Sequence, residues 1–169
     1  MCEAAKEEQL GLIKYAIKHG ANIHAQNDFA LRFGAGNGNL ELIKNLIKHG
    51  ANIHTDSDIL LTSAAQRGQL NVVKYLVERG LNIHVYNGEP LRHAAAVGHL
   101  EIVKYLVEHG ADIHAVNDAS IQLAATNGHL EVVKYLAEHG ANIHALDNLA
   151  LRHAAGNGHG EIVKYLQSL

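Results

Sequence analysis

The sequence repeats itself every 30 residues, and this period constrains the fold more than any single residue does. The block Gly-Ala-Asn-Ile-His begins at residues 20, 50 and 140, and near-copies of it begin at residues 80 and 110. A fixed period of this length is typical of solenoid proteins, in which each repeat packs only against its neighbours. Because such stacking produces an extended surface rather than a pocket, the period favours binding over catalysis.

One repeat, residues 115–144, predicts two helices separated by a glycine turn. Asp118, with the asparagine before it, is suited to cap a short first helix, and Gly128 predicts the end of that helix. Apolar residues at helical spacing predict a second helix from about residue 130 to 138, and Gly140 stops it. The repeated block then runs extended into the next repeat.

This order of helix, glycine turn, helix, glycine stop and extended link resembles the ankyrin repeat. The residues that carry the resemblance are Ala94-Ala95, then Gly98-His99-Leu100-Glu101-Ile102-Val103-Lys104-Tyr105-Leu106-Val107, then Gly110-Ala111-Asp112-Ile113-His114. The resemblance implies an all-α ankyrin-repeat solenoid of stacked helix-turn-helix units in a single domain, residues 1–169. The expected units are an N-terminal cap unit at 1–24, repeats at 25–54, 55–84, 85–114 and 115–144, and a partial unit at 145–169.

The repeats depart from the ankyrin pattern in their period and in the last residue of the repeated block, among other positions. The family's usual period is about 33 residues, and the missing residues fall where the family builds its hairpin, so shortened hairpin loops are expected. The family's frequent asparagine at the end of the block is replaced by histidine. Short repeats of this kind resemble the ankyrin arrays of giant DNA viruses, and a consensus-style engineered array or a fragment of a longer array would show the same pattern.

The five block histidines form a ladder that could bind metal or be modified. Successive repeats lie about 8–10 Å apart, so at most two of these histidines could bind one zinc ion, which needs about four ligands. We therefore expect no metal site, and helix-end contacts and turn hydrogen bonds instead. Because hairpin asparagines of the family are hydroxylation targets, the resemblance makes these histidines candidate modification sites: His24, His54, His84, His114 and His144. With 14 histidines in the chain, a response to pH between about 5 and 7 stays open.

Other repeated side chains have structural interpretations. The ladder Tyr15, Tyr75, Tyr105, Tyr135 and Tyr165 predicts rings half-buried between adjacent second helices, with their hydroxyls in water. Arg32, Arg92 and Arg152 are expected to pair with nearby aspartates or with backbone. Gly34 and Gly36 lie inside a short helix, where each costs roughly 1 kcal/mol relative to alanine, so the repeat 25–54 is expected to be the weakest.

Several function classes are disfavoured. The formal net charge is −3 with interspersed signs, and no basic stripe points to nucleic acid. No apolar run approaches the roughly 20 residues of a membrane helix, and the N-terminus lacks the apolar core of a signal peptide. The single cysteine, Cys2, excludes a disulfide framework. No candidate acid, base or nucleophile stands apart from the repeat pattern. We expect a cytoplasmic, non-enzymatic monomer without a cofactor.

Residues that differ between repeats are the better candidates for recognition, because the scaffold is copied. In ankyrin arrays partners usually contact the turn tips and the adjoining face of the first helix. The corresponding partner-binding residues here are Gln26, Asp56, Arg67, Val85, Tyr86, Glu89, Val97, Val116, Asn127 and Leu146. They predict an apolar centre with a polar rim, the usual anatomy of a protein interface. The partner would be a host protein, in the host cytoplasm, if the array is viral. A scaffold without a natural partner is the alternative.

Overall fold

The fold is a series of helix pairs that recur with the period of the sequence. A computed structural model describes residues 11–13, 15–16, 18–20, 22, 25–54 and 57–169. Their helices are α1 (Ala25–Gly36), α2 (Leu40–Lys48), α3 (Ser57–Gln66), α4 (Leu70–Glu78), α5 (Val85–Val97), α6 (Leu100–Glu108), α7 (Ala115–Thr126), α8 (Leu130–Glu138), α9 (Ala145–Gly156) and α10 (Gly160–Gln167). Residues 11–13, 15–16 and 18 are also helical, and the described residues contain no strand. The expected all-α architecture is confirmed.

The chain divides into two compact units, residues 1–81 and residues 82–169. In each unit the two helices of a repeat pack against each other, as α3 does against α4 and α7 against α8. Equivalent helices of successive repeats also pack together, as α1 does against α3 in the first unit and α7 against α5 and α9 in the second. Each repeat therefore has a first-helix layer and a second-helix layer.

The core follows the apolar spacing of the second helices. In α6 the buried residues are Ile102, Val103 and Leu106, and in α8 the equivalent positions are also buried. The alanine pair Ala124-Ala125 of α7 has no exposed surface, because small side chains let the helices approach closely. Burying a leucine-sized side chain contributes about 1.5–3 kcal/mol, so each of these copied positions stabilises its repeat.

The ends of the helices match the glycine pattern. The second helix of the repeat 115–144 spans Leu130–Glu138, as predicted. Gly128, which follows α7, has φ +82°, a left-handed conformation that glycine adopts without a Cβ clash. None of the described helices is both long and apolar enough to cross a membrane.

Candidate functional site

The tips of the repeats in residues 82–169 are single left-handed turns. In α7, Val116, Asn117 and Asp118 have φ of 55°, 55° and 60°, and the right-handed helix follows them. The same three positions of α5 and α9, residues 86–88 and 146–148, are also left-handed. The shortened loops expected from the 30-residue period are therefore tight turns. Because left-handed backbone costs a non-glycine residue roughly 1–2 kcal/mol, each tip is strained.

In the tips of α5 and α7, a side chain from the helix that follows binds the carbonyl groups of the turn. Arg92 donates from Nη2 to the carbonyl oxygen of Tyr86 at 2.9 Å and from Nε to that of Asn87 at 3.3 Å. Gln122, at the equivalent position of α7, donates to the carbonyl oxygen of Asn117 at 2.5 Å. The expectation that Arg92 pairs with backbone is confirmed, and the contact satisfies carbonyl groups that the left-handed turn leaves open.

Asp118 has a different role from the predicted N-cap. Its side chain is buried, and Oδ1 accepts hydrogen bonds from Nδ1 of His114 at 2.9 Å and from the backbone nitrogen of Asn142 at 2.8 Å. Because Asp118 itself lies in the left-handed turn, its carboxylate binds the end of its own repeat and the last residue of the preceding repeat, rather than the first amides of its own helix. The aspartate thus ties two repeats together.

Four of the predicted partner-binding residues expose apolar surface in the second unit. The exposed fractions are 61% for Tyr86, 45% for Val97, 48% for Val116 and 53% for Leu146. Tyr86, Val116 and Leu146 occupy the same position in three successive tips, each beside an exposed polar residue. We call these three residues the tip stripe.

The other predicted partner residues differ in their surroundings. Val85 was expected at the surface but is only 6% exposed, because the first residue of the tip turns inward before the left-handed residues begin. Oε1 of Glu89 lies 3.4 Å from Nε2 of His93. Arg67 is exposed in the first unit. The side chain of Gln26 and the whole of Asp56 lie outside the described residues.

The block histidines make turn hydrogen bonds, as expected. The backbone nitrogens of His54, His84, His114 and His144 donate to the side-chain oxygen two residues earlier, at 2.9–3.0 Å, which closes a turn at the entrance to each tip. His144 also donates from Nδ1 to Oδ1 of Asn148 at 2.6 Å. His24 lies outside the described residues. Within the described part of the chain, no three histidine, cysteine or acidic residues are grouped as a metal site.

A family model described as ankyrin repeats (3 copies) matches residues 1–87, 31–118 and 93–168, which together span almost the whole chain. The chain belongs to the ankyrin-repeat family. Proteins of this family usually mediate protein binding and are typically non-catalytic. Among curated proteins, none matches the sequence.

The tyrosine ladder of these ankyrin repeats is half-buried on the second-helix layer, apart from the exposed Tyr15. The rings of Tyr105 and Tyr135 lie against His109 and His139, with centroids 3.9 Å apart in both pairs. The expected wet hydroxyl is wrong for Tyr135. Its oxygen is shielded from solvent and has no hydrogen-bond partner among the described residues. Burial raises the pKa of Tyr135, and the nearby carboxylate of Glu108 raises it further.

A second set of histidines in the ankyrin repeats was missed by the sequence analysis. His129 and Asn127 both donate to the carbonyl oxygen of Ala96 in the preceding repeat, at 3.1 Å and 2.8 Å. His159 and Asn157 repeat this arrangement on the carbonyl oxygen of Thr126, at 3.0 Å and 2.8 Å. The amide of Asn127, predicted to contact a partner, is therefore used between repeats. The recurring Asn-Gly-His sequence is the signal that could have identified this contact.

Proposed function

We propose that the chain is a non-enzymatic protein-binding module that contacts its partner through the tip stripe and the adjoining first helices of residues 82–169. The observation that carries the proposal is the exposure of Tyr86, Val116 and Leu146 at equivalent points of three successive tips. Exposed apolar side chains with polar neighbours are typical of interaction sites. The proposal places the protein in the cytoplasm, because one cysteine in 169 residues leaves no disulfide framework.

The backbone conformation strengthens this interpretation. A tyrosine, a valine and a leucine occupy left-handed positions with φ of 45–55°, where asparagine, aspartate or glycine would be less strained. Because these apolar side chains are exposed in the folded monomer, they contribute little to its stability through burial. Both the left-handed backbone and the solvent exposure therefore disfavour apolar residues at these positions. Burial of these side chains against a partner would offset that cost.

The chemistry of the tip stripe suits a partner that inserts apolar side chains between polar groups. Each stripe residue is followed by an exposed polar side chain, namely Asn87, Asn117 or Asp147. Tyrosine is enriched among the residues that dominate binding energy, and Tyr86 is the most exposed member of the stripe. We expect Tyr86 to make the largest single contribution to binding.

The proposal is tested by comparing partners captured by the wild type and by the double variant Tyr86→Ala plus Val116→Asp. We expect a specific partner to be lost, with unchanged far-ultraviolet circular dichroism. The matched control is Leu169→Asp. It introduces the same negative charge in place of an apolar side chain that is 64% exposed and does not belong to the tip stripe. Identical partner sets for all three proteins, or no partner at all, would favour a scaffold without a natural partner.

A second candidate function is that of a hydroxylation substrate. It is supported by the exposure of the block histidines His54, His84, His114 and His144 at the entrances to the tips. Intact-mass measurement after incubation with an ankyrin hydroxylase is the test. A gain of one oxygen on these residues would support it, and an unchanged mass would exclude it.

A further inference from the structure

An open cavity of about 380 Å³ lies on the first-helix layer of residues 1–81, between α1 and α3. Its walls include Phe29, Arg32, Phe33, Gly36, Ser63 and Arg67. Apart from Arg67, none of these residues was predicted to contact a partner. The cavity lies in the first compact unit, whereas the tip stripe belongs to the second.

The cavity is open because Gly36 forms its floor. A Cβ atom at Gly36 would lie 3.1 Å from Oγ of Ser63 and 3.1 Å from Cδ of Arg67, so the arginine side chain crosses directly above the glycine. At the equivalent position of the repeat 115–144 stands Thr126, whose hydroxyl oxygen is 2.9 Å from Nδ1 of His153. The repeat 115–144 therefore fills the place that the repeat 25–54 leaves open.

The polar side of the cavity is cationic. Arg32 and Arg67 both line it, and none of its described lining residues is acidic. Ser63 adds a hydroxyl group. The guanidinium group of Arg67 beside this hydroxyl supplies donors of the kind that bind a carboxylate or phosphate through charge-assisted hydrogen bonds, and Arg32 adds a second positive charge. The electrostatics of the cavity therefore favour an anionic group.

The apolar side of the cavity is formed by the only two phenylalanines in the chain. The rings of Phe29 and Phe33 are 6.0 Å apart and tilted by 33°, and Phe29 is 52% exposed. The same two residues also line an apolar groove of about 330 Å³ with Leu12 and Ile13. The two phenylalanines are thus shared by a cationic cavity and an apolar groove.

We infer that this pair of sites binds an acidic, apolar peptide segment of a partner protein. A carboxylate of the segment is bound by Arg67, with the positive charge of Arg32 beside it, while a neighbouring large apolar side chain packs on Phe29 and Phe33. The inference rests on the proposed function only in assuming that the chain binds proteins, and it adds a second contact region with a defined ligand chemistry. The proposal commits to a carboxylate, and a phosphate on the same kind of segment is an outcome of the test.

The test uses a dye-labelled peptide in which glutamates alternate with leucine and phenylalanine, and its counterpart with glutamine in place of glutamate. Binding to the full chain is followed by fluorescence anisotropy. Losing one charge-assisted hydrogen bond weakens binding by about tenfold or more. We therefore expect the glutamine peptide to bind at least about tenfold more weakly, and Arg67→Gln to weaken binding of the glutamate peptide similarly.

The matched control is Arg79→Gln, which removes the same charge from the same unit. Arg79 lies over the ring of Tyr75, 4.9 Å from its centroid, and does not line the cavity. Binding to this variant should be unchanged. A second variant, Ser63→Leu, fills the cavity and should abolish binding while the helical circular dichroism is retained.

The outcomes separate this inference from the proposed function. Equal binding of the glutamate and glutamine peptides, or equal weakening by Arg67→Gln and Arg79→Gln, overturns it. Binding of only a phosphoserine version of the peptide overturns the carboxylate assignment. The variant Tyr86→Ala plus Val116→Asp should bind the peptide normally, so a failure of the tip stripe to capture a partner leaves the peptide result interpretable.

Discussion

Replacing Gly128 by alanine should be more destabilising than the same change at Gly158. The two glycines occupy equivalent positions, with φ of +82° and +79°, so alanine meets the same left-handed penalty of roughly 1–2 kcal/mol at both. Their surroundings differ. A Cβ at Gly128 would lie 2.7 Å from Cε1 of His159 in the next repeat, whereas a Cβ at Gly158 would meet nothing within 4 Å.

The difference can be estimated from the contact that must break. To accommodate the new methyl group, the ring of His159 has to move, and its 3.0 Å hydrogen bond to the carbonyl oxygen of Thr126 is lost. Such a bond contributes about 0.5–1.5 kcal/mol. Gly128→Ala should therefore reduce the free energy of unfolding by about 0.5–1.5 kcal/mol more than Gly158→Ala does.

A double-mutant cycle with His159→Ala tests this reasoning. Urea unfolding followed by circular dichroism gives the global free energy, and hydrogen exchange of the amides in α8, α9 and α10 gives the local one. In the His159→Ala background, the cost of Gly128→Ala should fall to that of Gly158→Ala. Equal costs in the wild-type background, or a difference that persists without the imidazole, would refute the proposed contact.

Two further predictions concern buried hydroxyl groups. Ser120 has no exposed surface, and its Oγ has no partner among the described residues, so Ser120→Ala should raise the free energy of unfolding by about 1 kcal/mol; a lower urea midpoint would contradict this. Burial raises the pKa of Tyr135 in the folded protein. The neutral hydroxyl of Tyr135 therefore contributes stability below about pH 10, the pKa of tyrosine in the unfolded chain. This contribution is lost as the pH rises through the higher pKa of the folded state. Tyr135→Phe should flatten the alkaline decline in unfolding free energy, and an unchanged profile would count against it.

The second helices could be predicted well because their signal is local and repeated. Apolar spacing and a terminal glycine specify Leu130–Glu138 without reference to any other part of the chain. The left-handed tips could not be predicted by the same reasoning, since asparagine and aspartate are equally suited to N-caps. The pairs Asn87-Gly88, Asn117-Asp118 and Asp147-Asn148 do favour left-handed backbone. In two of the three tips, Arg92 or Gln122 also binds the carbonyl groups of the turn, a contact that the repeat pattern alone does not specify.

The candidate site was predicted in part. Exposure of Tyr86, Val116 and Leu146 followed from their position at the tips, but the inward turn of Val85 depends on backbone geometry that no periodicity specifies. Gly36 is a similar case. The sequence marks it as a weak point of its helix, whereas the structure uses its missing side chain as space for Arg67 and Ser63.

The contact of His129 and His159 with the preceding repeat has a consequence for how such a chain can change length. Each imidazole binds a main-chain carbonyl oxygen and passes over a glycine, so the contact does not depend on the side chain that the preceding repeat presents. Duplication or loss of one whole 30-residue segment within residues 82–169 would join a new pair of neighbours through the same groups. Arrays built in this way can lengthen or shorten by recombination without a compensating substitution at the junction, while the side chains at the tips diverge independently.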